Sequence, residues 1–225
     1  MLGEVETATL RTSLSDLFDA IESLAVQPDD MAIRENVIGA AGNVAETIQR
    51  TDRFIVENQQ EADQRLAAAV ESANTILGQL AQINQEIAGI EAGGGEASSM
   101  RDQRGRLLDE LGKLVEVRAV ENEDGQVSVY MDSTGDTLLS RRRANPLQLE
   151  YDAQGFRHVI ASRGGEKVDL SSKIRSGKIG GYLKARDDDL AGYRDQLDTL
   201  ASAIIQEFNA VHQNGFDLNG DAGLA

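Results

Sequence analysis

The chain has 225 residues, 40% hydrophobic and 27% charged, with a formal net charge of −16. This length allows one or two domains with a true core, and the acidic balance argues against the basic face that duplex nucleic acid requires. The absence of cysteine removes disulfides, thiolate metal sites and cysteine nucleophiles together. No apolar stretch approaches the roughly 20 residues of a membrane span. The N-terminus, Met1-Leu2-Gly3-Glu4-Val5-Glu6, lacks the basic and apolar regions of a cleavable signal peptide.

The first element carries Leu10, Leu14, Leu17, Ile21 and Leu24 in steps of four and three, which predicts an amphipathic helix over about residues 4–25. Pro28 closes it, and Asp29 or Asp30 can cap the next helix. That helix is expected over residues 30–91, with Ala62, Leu66, Ala69, Ala73, Ile76, Leu80, Ile83, Ile87 and Ile90 forming a lengthwise seam. At about 1.5 Å per residue it would reach on the order of 90 Å, the length of a rod rather than of an enzyme core element. Its first half is wetter, with Thr51 and Asn58 at seam positions.

Gly93, Gly94 and Gly95 end the long helix and permit a reversal. Ser99 with Asp102 resembles a capping box opening a third helix over 98–114, whose apolar side is Met100, Leu107, Leu108, Leu111 and Leu114. At Val115 the period changes to two, and strands are expected at Val115–Val117, Val127–Met131, Thr137–Ser140, Leu147–Tyr151, Phe156–Ala161 and Lys167–Leu170. Asp124-Gly125 marks a hairpin. Together these make a small antiparallel β unit over residues 115–172. Helical periodicity returns from Ser176 through Leu190, Tyr193, Leu197, Leu200, Ile204, Phe208 and Val211, and Asn214-Gly215 marks its end. This last helix, 176–215, is expected to pack back on a helical rod of residues 1–114 and to cover one side of Ile76, Leu80, Ile83 and Ile87. Residues 216–225 form a turn leading toward a further domain. The fold class is mainly α with a small antiparallel β subdomain (α+β).

No residue pattern carries catalysis. Asp217-x-Asn219-x-Asp221 has the oxygen spacing that opens a calcium loop, yet Ala222 stands where glycine is required, so a side-chain-stabilised turn is the better reading. His158 and His212 are not in metal-ligand spacing. Asp187-Asp188-Asp189 point about 100° apart on a helix, so they do not converge, and placement near a positive helix terminus accounts for them. Gly93–Gly95 follow a helix rather than a strand, which excludes a phosphate loop. Arg141-Arg142-Arg143 is the one dense basic cluster, read as a solvated loop or strand edge, or else a patch meeting an acidic neighbour. Catalytic, cofactor and metal residues are therefore assigned to none.

Three stretches together resemble one family. Asp102-Gln103-Arg104-Gly105-Arg106-Leu107-Leu108-Asp109-Glu110-Leu111 is similar to its Asp-Gln-Arg-x-x-Leu-Leu-x-Glu-Leu segment. Gly177-Lys178-Ile179-Gly180-Gly181-Tyr182-Leu183 with Arg186-Asp187 is similar to its Gly-x-Leu-Gly-Gly-x-Leu-x-x-Arg-Asp segment. Phe208-Asn209-Ala210-Val211-His212 followed by Gly215-Phe216-Asp217-Leu218-Asn219-Gly220 resembles a third. The family is the bacterial flagellar hook-associated protein type 1, the first hook–filament junction protein, and the likeness runs from about Leu14 to Gly223. It implies a long-helix bundle like the flagellin-type helical domain and a structural, non-enzymatic role as a mechanical adaptor, without cofactors. The implied partners are the flagellar hook protein, the second junction protein, further copies in a ring and an export chaperone for the parent's C-terminal segment, with neither nucleic acid nor membrane. The implied location is the extracellular flagellum, reached through type III export without a cleaved signal. Against the family pattern the chain reads as a central fragment, lacking the terminal polymerising segments. A helical-bundle sensor ectodomain or a phage-tail-like structural protein is the alternative.

Overall fold

The structure is a computed structural model that describes residues 4–215. Three helices come first: α1 (Glu4–Val26), α2 (Met31–Ala92) and α3 (Ser98–Leu114). Seven strands follow: β1 (Val117–Glu121), β2 (Val127–Met131), β3 (Thr137–Ser140), β4 (Arg143–Ala144), β5 (Gln148–Tyr151), β6 (Arg157–Arg163) and β7 (Glu166–Asp169). Helix α4 (Gly177–Lys184), a π-helical turn (Ala185–Leu190) and α5 (Ala191–Gln213) complete the chain. These elements fall in two compact units, one of residues up to Asn58 with those from Leu190 onward, the other Gln59–Asp189.

The helix breaks have local causes. Asp30 Oδ1 accepts the amides of Ala32 at 2.8 Å and Ile33 at 3.3 Å, covering two of the donors that open α2. At the other end of α2 the Gly95 amide donates to Ile90 O and the Gly94 amide to Glu91 O, with Gly94 at φ +79°. This paired closure requires a residue without a Cβ at the left-handed position. The seam runs buried from Ala62 to Ile87, while Ile90 is exposed at the helix end. The expected capping box on α3 is absent: Ala97 is the cap, and no side chain bonds to the helix start. Ala97 is buried beside Ile83 and Ile87, so apolar packing sets the entry and leaves Ser99 inside the first turn.

In the first unit, α1 and the first half of α2 bury Leu17, Ala20, Ala40 and Val44, with Ile204 of α5 packed against them. In the second, Leu66, Val70, Leu77 and Leu80 of α2 join Leu111, Val129, Leu139, Val159, Leu170 and Ile179 in one core. Ile83 and Ile87 are covered by Ala97, Met100 and Leu107. The last helix thus meets the first half of α2, and the sheets and α3 cover the Ile76–Ile87 seam that α5 was expected to share.

The strands of the expected antiparallel β subdomain form two sheets, β1-β2-β3-β4 and β5-β6-β7. The split falls at Asn145-Pro146. Asn145 turns back, its side-chain amide donating to Thr137 O and its backbone amide to Leu138 O, while Pro146 has no donor to continue the ladder. Gly125 at φ +74° makes the β1–β2 turn.

The expected final helix is interrupted by the π turn. Asp187–Asp189 lie within that turn, about ten residues past the start of α4 at Gly177, so the positive helix terminus does not account for them. Two of them pair instead with nearby cations: Asp187 with Arg186 at 2.6 Å, and Asp189 with Lys184.

Candidate functional site

Two arrangements stand out, one in each unit. In the second unit, polar side chains on α2 hold the sheets by their backbones. Asn84 is wholly buried; its Nδ2 donates to Val127 O at 2.7 Å and Arg141 O at 2.6 Å, and its Oδ1 accepts the Val127 amide at 3.2 Å. Asn74 does the same one sheet over, donating to Leu147 O and accepting the Leu147 amide, both at 2.8 Å. Each carboxamide pairs with both backbone polar groups of one residue, as a neighbouring strand would.

Arg104, from the first family-like segment, is 5% exposed. Its Nη1 donates to Gly125 O at 2.7 Å and its Nη2 pairs with Glu121 at 3.2 Å, fixing the β1–β2 turn on α3. Burial pushes the Glu121 carboxyl upward, but hydrogen bonds from Arg101 and Arg104 outweigh it and hold the group below its ordinary value.

Arg186, from the second segment, is 1% exposed. Its guanidinium donates to Asp187 at 2.6 and 3.0 Å, to Asp63 at 2.5 Å and to Arg157 O at 2.8 Å, and lies over the Phe156 ring at 5.2 Å. Desolvation lowers its affinity for the proton; the bonds to Asp187 and Asp63 overcome that and raise it. Asp63 also accepts the Arg157 amide at 2.8 Å and pairs with the Arg157 side chain. Gln59 Nε2 reaches Arg186 O at 3.1 Å, so the π turn, whose backbone ladder departs from the α pattern, is held from α2.

The glycines of that second segment have steric reasons. A Cβ on Gly177 would stand 2.5 Å from Leu114 O, and Gly177 sits at φ +69°. One on Gly180 would stand 2.6 Å from the Arg175 carbonyl carbon. Both contacts are with backbone, which cannot rotate away.

In the first unit the chemistry is apolar. Leu17, Ala41, Val44, Ile48, Ile204 and Phe208 are among the residues lining an open groove of about 290 Å³. Ile205, which also lines it, is 60% exposed; elsewhere on the same unit Phe18 is 59% exposed and Ile38 72%. Phe18 and Ile38 were not singled out by the sequence, because they lie off the apolar stripes used to place the helices.

The other sequence candidates scatter. Arg141 (φ +53°), Arg142 and Arg143 are exposed at the β3–β4 turn, with Arg141 3.6 Å from Asp124. His158 sits on β6 between Asp169 and Asp152, and His212 lies in the last turn of α5. Gly93–Gly95 form the turn that follows α2. Asp217, Asn219, Asp221 and Ala222 lie outside the described residues. Among the described residues no group of three or more His, Asp or Glu is placed to hold a metal ion, and no helix is long and apolar enough to cross a membrane. Asp63, Asn74 and Asn84 were also missed; the signal available was a polar residue directly following a seam residue, at Ala62, Ala73 and Ile83.

Comparisons with known proteins agree across the chain. Flagellar hook-associated protein 1 from Escherichia coli strain K12 is 29% identical over 223 residues, covering 96% of this chain and 41% of its own length. The protein of the same name from Bacillus subtilis strain 168 is 24% identical over 247 residues, covering 99% of this chain and 49% of its own length. This chain thus spans somewhat under half the length of these curated relatives. The fold matches the flagellar hook junction protein FlgK from Burkholderia pseudomallei with a TM-score of 0.87 at 23% identity, over 99% of this chain and 41% of that one. The model of the family described as "Flagellar hook-associated protein FlgK helical domain" matches residues 1–225, and the chain belongs to that family.

Proposed function

We propose that this chain is the helical part of a structural component of the bacterial flagellum, acting at the junction between hook and filament as a mechanical adaptor and not as an enzyme. The observation that carries this reading is the family match over the whole chain. The exposed Phe18 and Ile38 of the first unit, and the apolar groove that the exposed Ile205 helps to line, support it, because exposed apolar surface serves association. The flagellar reading is favoured over the helical-bundle sensor and the phage-tail-like protein by the same match. The partners we assign are the flagellar hook protein, the second junction protein, further copies in a ring and an export chaperone acting on the parent's C-terminal segment. The location we assign is the extracellular flagellum, reached by type III export.

The test is genetic complementation. Cells lacking the parent gene should build hooks without firmly attached filaments and lose swimming, and the wild-type gene should restore both. A parent carrying Phe18→Asp, Ile38→Asp and Ile205→Asp should be produced and exported yet restore swimming poorly. Normal filaments in the deletion strain would overturn the proposal.

A further inference from the structure

We propose that His158 is a proton-controlled latch that ties the edge strand β7 and the β5–β6 turn to β6. The device lies within the second unit and does not depend on the flagellar reading. His158 stands on β6, opposite Glu150 of β5 in register. Its Nδ1 is 2.5 Å from Asp169 Oδ2 at the end of β7, and its Nε2 is 3.3 Å from Asp152 Oδ2 in the β5–β6 turn.

Both carboxylates already serve their own turns with the other oxygen. Asp152 Oδ1 accepts the amides of Gln154 at 2.9 Å and Phe156 at 2.8 Å. Asp169 Oδ1 accepts the Ser171 amide at 2.8 Å, and Ser171 Oγ accepts the Val159 amide at 2.9 Å. Each acid thus organises one end of the three-stranded sheet and offers its remaining oxygen to the same imidazole. A neutral imidazole has one N–H and can donate to one of them. Only the imidazolium donates to both.

The charges around the ring are mostly acidic. Across β5, Glu150 is engaged by Lys167 of β7. A cavity of about 400 Å³ on the α4 side brings Arg175, Lys184, Asp187 and Asp188 toward His158 and Asp169. Lys184 pairs with Asp189, and Asp187 is held by Arg186. Arg157, the next residue on β6, is drawn to Asp63 and lies over the Tyr151 ring at 5.0 Å. The hydrogen bond to Asp169 is the main reason the His158 imidazole holds its proton above the ordinary histidine range; burial opposes it, and the charge of Asp169 and the bond to Asp152 add to it. For Asp169 and Asp152, burial acts upward but is outweighed. Bonds from His158 and Ser171 hold Asp169 below the usual carboxylate range, and the Phe156 and Gln154 amides with His158 do the same for Asp152.

The signs follow from linkage. A histidine with a raised folded-state value contributes stability that is complete below about pH 6.5 and is lost as pH rises through the raised value. Carboxylates with lowered values contribute stability that is complete above about pH 4 and is lost as pH falls through the lowered values. The latch therefore contributes its full stability between about pH 4 and about pH 6.5, and opens as pH rises through the raised histidine value or falls through the lowered carboxylate values.

Proton NMR on a His212→Gln background leaves His158 as the one histidine to titrate. Its midpoint is expected above 6.5, and Asp152→Asn should lower it while Asp169 still holds the ring. Amide exchange then reads the opening. Relative to intrinsic rates, protection of the β7 amides should fall on passing from pH 6 to pH 9, by about tenfold for each pH unit by which the midpoint is raised. His158→Gln should show no such fall. A midpoint at or below 6.5, or the same loss of protection in His158→Gln, would overturn the latch. Should that variant not fold, the paired midpoints of the parent and Asp152→Asn decide the question, an unchanged midpoint counting against it.

Discussion

Helix α2 contributes to two units of different character, and the contrast shows what each is built for. In the second unit its apolar residues are consumed internally: Leu66, Leu77 and Leu80 are fully buried, and the polar residues beside them, Asp63, Asn74 and Asn84, are each matched to a backbone group. In the first unit the buried set of α1 and α2 is short, while Phe18, Ile38 and Ile205 face outward. One half of the helix closes a self-sufficient core, whereas the other leaves apolar area exposed. The same periodicity underlies both; what differs is whether sheets and α3 are available to cover it.

The sharpest way to break the second unit is Asp63→Ala. It would leave the buried Arg186 guanidinium and the Arg157 side chain without their shared carboxylate, a loss of about 3–5 kcal/mol for a buried pair broken on one side. Chemical denaturation followed by circular dichroism should show it, and amide exchange should rise first around β5, β6 and the π turn. A cost near zero would mean that the pair is not what fixes that turn.

A smaller effect is expected where α4 packs on the segment just before it. Gly180→Ala forces a methyl against the Arg175 backbone, which should cost about 1–3 kcal/mol as overpacking. Gly181→Ala, with open space at its Cβ, should be neutral or slightly stabilising, as alanine replaces glycine in a helix. The two melting temperatures, measured side by side, test whether close approach rather than helix propensity explains the glycine pair.

The first unit should respond in the opposite sense. Ile38→Ser and Ile205→Ser are expected to change stability by no more than about 0.5 kcal/mol, as is usual for surface positions. The isolated chain is expected to self-associate weakly with rising concentration through its exposed apolar residues, and these substitutions should weaken that association. Light scattering over a concentration series reads this directly; unchanged scattering would move the association surface away from the groove.

Much of the architecture was legible because helix and strand periods are local. The steps of four and three from Leu10 to Leu24 and from Ala62 to Ile87, and the change to period two after Val115, give the mainly α class with its β part. Asp30 and Gly94 were legible as stop and start signals for the same reason. What was not legible depends on distant partners. Ser99 with Asp102 satisfies a capping rule, but burial of Ala97 moved the helix start. The π turn has no local signal: it is held by Arg186 to Asp63 and by Gln59, across more than a hundred residues of sequence. Asn84, one residue past the seam position Ile83, carried no local signal of its role, and only the position of Val127 explains it. The resemblance pointed to Arg104 and Arg186 without stating why those positions are arginine; their burial and acceptors supply the reason.

The two carboxamides on α2 also bear on the order in which the chain folds. Hairpins such as β1–β2 and β5–β6 bring together near neighbours, and contacts of that kind form in microseconds. The bonds from Asn84 to Val127 and from Asn74 to Leu147 join residues 43 and 73 positions apart, and such closures come late because their loop entropy is met before any contact rewards it. Until they close, each strand pair is free to sample neighbouring registers. A helix that offers one donor and one acceptor at a fixed height accepts the N–H and C=O of a single residue and leaves the slipped alternatives with an unpaired buried amide. The long helix thus acts as a proofreading template for both sheets, selecting strand register at the last step of folding.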